Sequence, residues 1–323
     1  MKGADLVYGL WLLGLLSAVA YVGSSPDASP APAAASASPQ PSPPPAAGPA
    51  PESVVDATGR AVPRRAYARI ASASSYADEL LFALCEPERI VALSHYGRSH
   101  RPDAYRYGAR ALVSSPSDLE RLMTLSVDLL LVNHLGAQSE LARVRGAGIE
   151  VFDLGEMRGL GSLETNLYAL ASLLGERARG ERVWQRFSQQ LHAVARDVEP
   201  SARKPALYLA IYAGKLYGGT RGTSYHDVLT AAGLVDVAAE RYRDWPEYDP
   251  EDVLRLDPPL IVTDTGMGSQ LCENAWLKAL RACASPGREG IVELASNLMG
   301  DPGLGMLDAA LELHDRVYRT AAR

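Results

Sequence analysis

The chain has 323 residues, of which 47% are hydrophobic and 22% charged, and its formal net charge is −6. This length predicts about two domains, and the hydrophobic content excludes a chain that is disordered throughout. A sequence without a dominant basic block argues against a nucleic-acid binder. Three scattered cysteines without a C-x-x-C pair argue against a zinc finger and exclude a four-thiolate iron–sulfur cluster.

The first segment, residues 1–23, has the features of a membrane-targeting sequence. Lys2 precedes the apolar run Leu6–Val22, whose length lies between that of a signal-peptide core and that of a short spanning helix. The small residues of Ala18-Val-Ala20 resemble a cleavage site. The segment is therefore predicted to be either a cleaved signal peptide or a retained anchor, and both place the rest of the chain outside the cytoplasm.

Residues 24–53 consist almost entirely of Ala, Pro and Ser. Such a segment cannot bury enough apolar surface to offset the entropy of ordering it, so we predict a disordered linker. Its proline density favours an extended chain. A spacer of this kind is most useful when one end stays attached, which favours tethering to the membrane.

Residues 54–160 are predicted to form an N-terminal lobe. A hairpin over residues 54–62 is followed by alternating strands and helices. Continuous apolar strands separated by helices indicate a parallel sheet that is covered on both faces. The predicted strands are 69–72, 89–93, 128–132 and 148–152, and the predicted helices are 76–84, 119–125 and 141–147.

Residues 161–202 are predicted to be a helical connection that contains one long helix at about 176–198, roughly 35 Å long. Residues 203–323 repeat the strand and helix pattern in a C-terminal lobe. The segments Leu119–Val132 and Pro250–Val262 share a Glu-initiated short helix, a turn and a buried strand. The predicted fold class is α/β, with two Rossmann-like lobes of mainly parallel sheets, one rigid bridging helix and a ligand cleft between the lobes.

Signatures of catalysis are absent from the sequence, including G-x-S-x-G, the P-loop and H-E-x-x-H. Ser224, His226 and Asp227 lie within four residues at a predicted helix start. Consecutive side chains there point in different directions, which favours helix capping by Ser224 over a catalytic triad. We therefore expect no enzyme.

Four histidines are weak metal-ligand candidates, because three follow predicted strand ends and one opens a helix of the second lobe. Strand ends are where α/β sheets present ligand groups, and neutral imidazole binds zinc, manganese or haem iron. Solvent-exposed loop histidine is the alternative interpretation of each. The four are His95, His100, His134 and His226.

Four aromatic residues lie near the expected cleft and are suited to stacking on a large planar ligand. Ordinary packing is the alternative for each of them. These residues are Tyr76, Tyr96, Tyr212 and Trp245.

The cysteines are predicted to be free thiols. If the segment between Cys272 and Cys283 is largely helical, their Cα atoms lie roughly 15 Å apart, whereas a disulfide requires less than about 7 Å. Cys85 is predicted to be buried on its helix.

A series of short motifs, in a fixed order after Val54, resembles the substrate-binding proteins of iron–siderophore, haem and cobalamin ABC importers. The series comprises Val55-Asp-Ala-Thr-Gly-Arg-Ala-Val62, Glu79-Leu-Leu-Phe-Ala-Leu84, Arg89-Ile-Val-Ala-Leu93, Gly148-Ile-Glu-Val151, Val228-Leu-Thr-Ala-Ala-Gly-Leu234 and Glu251-Asp-Val-Leu-Arg-Leu-Asp-Pro258. The resemblance implies two lobes joined by one long helix, and a periplasmic or extracytoplasmic protein that delivers a chelated metal compound to a permease dimer. The chelate is then the ligand and no resident cofactor is expected, and we expect a monomer.

The resemblance also implies roles for individual residues. Tyr96 matches a tyrosine of the corrinoid pocket in the cobalamin branch, and Trp245-Pro246 matches its Trp-Pro; His134 is a ligand candidate by location only. Glu120 and Glu251 match the glutamates that meet arginines of the permease. Two alternatives remain: a bare zinc or manganese site built from the cleft histidines, and a membrane-anchored ligand sensor.

Overall fold

Short apolar strands alternate with helices through most of the chain, and this alternation places parallel strands beneath a cover of helices. The computed structural model describes residues 52–100, 104–134, 136–284 and 290–319, which belong to one compact unit of residues 49–323. The predictions for Leu6–Val22 and for the linker up to residue 51 lie outside the described residues. Within the described ranges, no helix is long and apolar enough to cross a membrane.

The N-terminal lobe begins with the predicted hairpin and continues into a five-stranded parallel sheet. The hairpin strands are β1 (Ser53–Val55) and β2 (Ala61–Pro63), and the sheet strands are β3 (Ile70–Ser72), β4 (Ile90–Ser94), β5 (Ala111–Val113), β6 (Leu129–Val132) and β7 (Glu150–Asp153). The order across the sheet is β5-β4-β3-β6-β7, and every pair is parallel. The helices are α1 (Ser75–Leu84), α2 (His95–His100), α3 (Leu119–Thr124) and α4 (Gln138–Gly146), and 3₁₀ turns cover Pro87–Arg89 and Ala104–Tyr107.

Two helices, α5 (Leu160–Leu173) and α6 (Arg177–Ala193), connect the lobes. The long helix α6 contacts α1 of the N-terminal lobe and also packs against the last helix of the C-terminal lobe. It is shorter than predicted, at 17 residues, or about 25 Å. Beyond Ala193 the chain tightens into turns that pack Ala195 and Val198 closely against Gly233.

The C-terminal lobe contains a parallel sheet and a small antiparallel sheet. Its strands are β8 (Pro205–Tyr208), β9 (Ala210–Tyr212), β10 (Lys215–Tyr217), β11 (Val235–Asp236), β12 (Glu247–Tyr248), β13 (Leu260–Asp264) and β14 (Ile291–Leu294). The parallel sheet has the order β11-β8-β13-β14, and the antiparallel one has the order β12-β10-β9. The helices are α7 (Ser224–Ala231), α8 (Pro250–Leu256), α9 (Gly268–Glu273), α10 (Arg281–Ala284), α11 (Ser296–Met299) and α12 (Met306–His314), with a 3₁₀ turn at Leu277–Ala279 and a π-helical turn at Asp315–Arg319.

One hydrophobic core runs through both lobes. Ile70 and Leu80 of the N-terminal lobe belong to the same buried cluster as Val228 and Leu260 of the C-terminal lobe. Separate clusters cover the outer face of each parallel sheet. The lobes are therefore joined by packed side chains as well as by the connecting helices, and large separations between them would expose apolar surface.

The prediction that all cysteines are free is wrong. Cys272 and Cys283 form a disulfide with their Cα atoms 5.4 Å apart. The segment between the two cysteines is not one continuous helix: α9 ends at Glu273, and the side chain of Asn274 accepts a hydrogen bond from the backbone N–H of Trp276. The resulting turn brings the two cysteines together. Cys85 is a buried free thiol, and burial raises its pKa to about 11.

Candidate functional site

The carboxyl ends of the two parallel sheets point to the candidate site. Ligands of open α/β sheets bind outside these ends, at the point where the strand order reverses. In the N-terminal lobe the reversal lies between β3 and β6, and in the C-terminal lobe it lies between β8 and β13. The residues that follow these strands are therefore candidates for contact with a ligand.

A cavity of about 610 Å³ lies where the lobes meet. This volume is in the range of small-molecule sites. The cavity is lined by both lobes: the N-terminal lobe supplies Ser75, Glu79, Tyr96, Arg106 and Met157, and the C-terminal lobe supplies residues between 296 and 308. Three of these residues lie two or three positions beyond a strand end, namely Ser75 after β3, Tyr96 after β4 and Ser296 after β14.

Tyr96 is the predicted ligand residue that the structure places on the cavity wall. Its side chain is 59% exposed, and its ring packs edge-on against His95 at a centroid distance of 6.2 Å. The guanidinium of Arg106 lies 4.3 Å above the ring centroid of Phe82. The wall thus combines an accessible aromatic ring with a cation and with the carboxylates of Glu79, Asp301 and Asp308.

Tyr76 belongs to the core, so its predicted place on the cleft surface is wrong. The side chain is 1% exposed, and its hydroxyl group pairs with the carbonyl of Ser162 and the side-chain amide of Asn166, both at 3.4 Å. Burial raises its pKa. Tyr76 is buried on α1 together with Leu80 and Leu84.

Trp245 lies in the C-terminal lobe and is 40% exposed, but it does not line the cavity that contains Tyr96. The guanidinium of Arg158 lies 5.0 Å above its ring centroid and pairs with the carboxylate of Asp244 at 3.1 Å. Arg158 comes from the segment between β7 and α5. The aromatic ring is therefore held at the seam between the connection and the C-terminal lobe.

Tyr212 is part of a tyrosine cluster at the strand-order reversal of the C-terminal lobe. Asp264, buried at the end of β13, accepts one hydrogen bond from the hydroxyl of Tyr208 at 2.9 Å and another from that of Tyr212 at 2.6 Å. This bond, together with burial, raises the pKa of Tyr212 to about 12. Tyr212 is 48% exposed, so a neutral phenol ring faces solvent at the carboxyl edge of the sheet.

The predicted metal-ligand histidines do not gather at one place in the described ranges, where no group of three His, Cys, Asp or Glu side chains could hold a metal ion. His226 Nδ1 pairs with the buried carboxylate of Asp236 at 2.8 Å. His134 is exposed with a left-handed backbone, and its N–H donates to Asp153. His95 is exposed beside Tyr96, and the side chain of His100 lies outside the described part.

Capping of α7 by Ser224 is also a wrong prediction. Thr223 is the N-cap residue, and the hydroxyl of Ser224 donates to the carbonyl of Met299 at 3.1 Å. Asp227 accepts a hydrogen bond from the N–H of Leu160 at 2.7 Å. The three adjacent polar side chains therefore serve three different structural contacts.

Glu120 and Glu251 are exposed side chains in the first turns of α3 and α8, which are equivalent helices of the two lobes. Their N-cap residues, Asp118 and Asp249, are other acidic residues, and Asp118 accepts a hydrogen bond from the N–H of Arg121. Capping of α3 therefore does not require Glu120. Both glutamates are accessible to a partner.

The chain matches the family model for periplasmic binding proteins over residues 70–312. The chain belongs to the periplasmic binding protein family. A vitamin B12-binding protein of Pectobacterium atrosepticum is 25% identical to it over 213 residues, which cover 64% of this chain and 75% of that protein.

Solved structures share the two-lobed class III fold. The haem-binding protein HutB of Vibrio cholerae has a TM-score of 0.66 at 21% identity, with 78% of this chain and 100% of that chain covered. The haem-binding protein RhuT of Roseiflexus sp. RS-1, in its apo form, has a TM-score of 0.63 at 20% identity, with 78% and 98% covered. These likenesses confirm the predicted fold class, and the match to the family model confirms the predicted family.

Sequence reasoning missed much of the cavity wall, above all Glu79, Arg106 and the segment 296–308. In the sequence, Glu79 was notable only as the first residue of the motif Glu79-Leu-Leu-Phe-Ala-Leu84. One usable signal was Asp301-Pro-Gly-Leu-Gly305, a concentration of turn residues directly ahead of a helical pattern. Such a loop follows the last strand of the second lobe, where ligand-facing groups are expected.

Proposed function

We propose that this chain is the extracytoplasmic solute-binding component of an ABC importer, and that it captures a chelated metal compound, namely cobalamin, haem or a ferric siderophore. The observation that carries the proposal is the cavity between the lobes, with walls formed by residues after β3, β4 and β14. The chain acts by binding and transfer and not by catalysis. Membership of the periplasmic binding protein family supports this role.

Exposed aromatic rings at the carboxyl ends of the sheets and beside the connecting segment support a large, partly planar ligand. Tyr96, Tyr212 and Trp245 each expose a substantial part of an aromatic ring, and aromatic faces stack well on macrocycles. The curated relative is named a vitamin B12-binding protein, and the structural neighbours are named haem-binding proteins. Both ligand types hold a metal inside a macrocycle, so the protein need not supply a complete set of metal ligands.

The ligand is identified by native mass spectrometry of the protein purified from its own cells, which also shows whether the N terminus is cleaved after Ala20 or retained as an anchor. Titration with cyanocobalamin, haemin, a ferric siderophore and Zn²⁺ follows. We expect one of the three chelates to bind with a defined stoichiometry. Binding of Zn²⁺ alone would contradict the proposal and favour the bare-metal alternative.

The ligand site is tested by Trp245→Ala, which we expect to weaken chelate binding by about 1–3 kcal/mol, the scale of a lost aromatic contact. Tyr96→Ala is measured in parallel because Tyr96 lines the cavity whereas Trp245 does not. Loss in Tyr96→Ala with unchanged affinity in a folded Trp245→Ala variant would restrict the ligand to the cavity.

Delivery to the permease is tested by charge reversal of the two exposed glutamates. Negative charges on separate lobes can each pair with a cation on one half of a dimeric permease and so orient the complex. We expect Glu120→Arg with Glu251→Arg to abolish uptake while ligand affinity is unchanged. The matched control reverses two other exposed glutamates, Glu88 and Glu181. Normal uptake in the first double variant would contradict the docking role.

A further inference from the structure

Glu79 is a buried carboxylate that crosses the seam between the lobes. It lies on α1 of the N-terminal lobe with 4% of its surface exposed. Its Oε2 atom accepts a hydrogen bond from the backbone N–H of Leu304 in the C-terminal lobe at 2.8 Å, over a separation of 225 residues. A buried charge is tolerated only where polar partners compensate its loss of hydration, and part of that compensation comes from the other lobe.

The loop 301–305 is shaped to receive this carboxylate. Asp301 Oδ1 accepts a hydrogen bond from the N–H of Gly303 at 2.9 Å and so turns the chain. A Cβ atom on Gly303 would overlap Glu79 Oε2, and one on Gly305 would lie 3.5 Å from Glu79 Oε1. Glycine at position 303 therefore permits the close approach of Glu79 that a side chain there would prevent, whereas the closest neighbour of a Cβ atom at Gly305 would be Asp301 Oδ2 at 2.9 Å.

The same carboxylate lies at the start of α12. The N-cap residue of α12 is Gly305, which has no side chain to cap the helix. Negative charge near a helix N-terminus is stabilising, so Glu79 adds, from the opposite lobe, to the charge that Asp308 already places in the first turn of α12. Because α12 packs on α6 and α7, a contact at its first turn positions much of the C-terminal lobe.

We propose that Glu79 is a latch between the lobes: it holds the 301–305 loop and the start of α12 against the N-terminal lobe and thereby fixes the width of the cavity. Glu79 and the loop both line that cavity. Glu79 is accordingly a positioning residue for the ligand, and this second statement rests on the proposed function. The latch itself exists with or without ligand.

The latch is tested on the full chain without ligand by hydrogen exchange of the Leu304 amide. We expect Glu79→Ala to speed this exchange by about tenfold or more, the effect of losing a hydrogen bond to a charged acceptor. Glu79→Gln keeps an acceptor oxygen and should change the rate by only a few-fold. Glu88→Ala, an exposed glutamate of the same lobe, is the control. Unchanged Leu304 exchange in folded Glu79→Ala would overturn the proposal.

A double-mutant cycle shows whether Glu79 and the loop act on each other. Gly303→Ala alone should also speed exchange, because its methyl group would displace the loop from the carboxylate. In Glu79→Ala the overlap with the carboxylate of Glu79 is gone and only Asp301 Oδ1 lies within 3 Å of the new methyl group, so the effects of the two changes should be clearly less than additive. Additive effects would overturn the latch. If Glu79→Ala does not fold, the exchange rate of the Leu304 amide is compared between Gly303→Ala and Glu79→Gln. An unchanged rate in folded Gly303→Ala would then overturn the proposal.

The role in ligand positioning is measured separately with haemin and cyanocobalamin. The probe that binds the wild-type protein should bind Glu79→Ala about tenfold more weakly and Glu79→Gln nearly normally. Equal affinity for wild type and Glu79→Ala would overturn the positioning role. If neither probe binds the wild type, the proposed function fails for these ligands, while the exchange result decides the latch independently.

Discussion

The two lobes have the same parallel-sheet design but secure their outer faces differently. In the N-terminal lobe, the crossover between β6 and β7 contains the nine-residue helix α4, which buries Leu141 and Val144 against the sheet. In the C-terminal lobe, the equivalent crossover between β13 and β14 is split into α9, a 3₁₀ turn and α10, with Leu271 and Leu277 buried beneath. Short helices are marginal by themselves. The disulfide Cys272–Cys283 braces the broken crossover.

The lobes also use a buried aspartate at a strand end for different purposes. Asp153, at the end of β7, accepts hydrogen bonds from the backbone N–H groups of His134 and Gly155, both at 2.8 Å. Asp264, at the end of β13, accepts hydrogen bonds from two tyrosine hydroxyls. The first aspartate fixes the path of a loop, whereas the second fixes aromatic rings. Asp153 therefore stabilises a loop, whereas Asp264 positions tyrosine rings, one of which is exposed.

The largest predicted effect comes from removing the brace. Cys272→Ser with Cys283→Ser should lower the free energy of unfolding by about 2–4 kcal/mol, because the unfolded chain regains the freedom of the closed loop. The measurement is urea denaturation with and without a reducing agent. Reduction should destabilise the wild-type protein and leave the double variant unchanged. Equal midpoints for oxidised and reduced wild type would show that the broken crossover needs no brace.

A buried strand could be predicted from the sequence, but the disulfide could not. The apolar run 128–132 predicted a buried strand, and the strand Leu129–Val132 is present with all four residues buried. The same local reasoning failed between Cys272 and Cys283, because helical composition does not show where a helix breaks. At Asn274 the helix α9 ends and a turn begins, in which the side chain of Asn274 accepts a hydrogen bond from the N–H of Trp276, and the two cysteines pair across this broken segment.

The residues of the candidate site also fall into those that could be predicted from the sequence and those that could not. Tyr96 was predictable because residues after a strand of a parallel sheet are presented at its carboxyl edge. Glu79 was not predictable, since its partner lies 225 residues away and only the folded chain brings the two lobes together. Tyr76 was misplaced because an aromatic residue near a cleft can equally fill the core beneath it. Residues at strand ends could therefore be predicted from the sequence, whereas contacts between the two lobes could not.

The second prediction separates the two aspartates. Asp153→Ala and Asp264→Ala should each lower the free energy of unfolding by about 1–3 kcal/mol, since each leaves one buried donor without an acceptor, namely the N–H of Gly155 or the hydroxyl of Tyr208. They should differ in tyrosine titration. In the wild type, ionised Tyr212 would lie beside a carboxylate, which raises its pKa to about 12; in Asp264→Ala this pKa should fall toward the ordinary value near 10.

The titration is followed by the ultraviolet absorbance of tyrosinate, and Tyr212→Phe identifies the contribution of Tyr212. Asp153→Ala serves as the matched control, because it removes a buried strand-end carboxylate without touching a tyrosine hydroxyl. A Tyr212 pKa that is the same in both alanine variants would mean that Asp264 does not hold the phenol, and the proposed contrast between the strand ends would be lost.

The smallest predicted effect concerns Asp227, a C-terminal-lobe carboxylate that accepts a hydrogen bond from the N–H of Leu160 at the start of α5. Burial raises its pKa above the ordinary value, and the N–H of Leu160 and His226 oppose this shift. Between the ordinary pKa near 3.9 and the raised pKa, the folded state binds more protons than the unfolded state. The free energy of unfolding therefore falls as pH rises through this window and stays lower above it.

Asp227→Asn lacks this titration but keeps an oxygen that can accept a hydrogen bond from the N–H of Leu160. Relative to the wild type, the variant should gain stability as pH rises from about 4, by less than the disulfide contributes. Urea denaturation at a series of pH values measures this, with Asp308→Asn, an exposed aspartate, as control. A constant difference between wild type and Asp227→Asn across the series would show that Asp227 is as well compensated in the folded chain as in water.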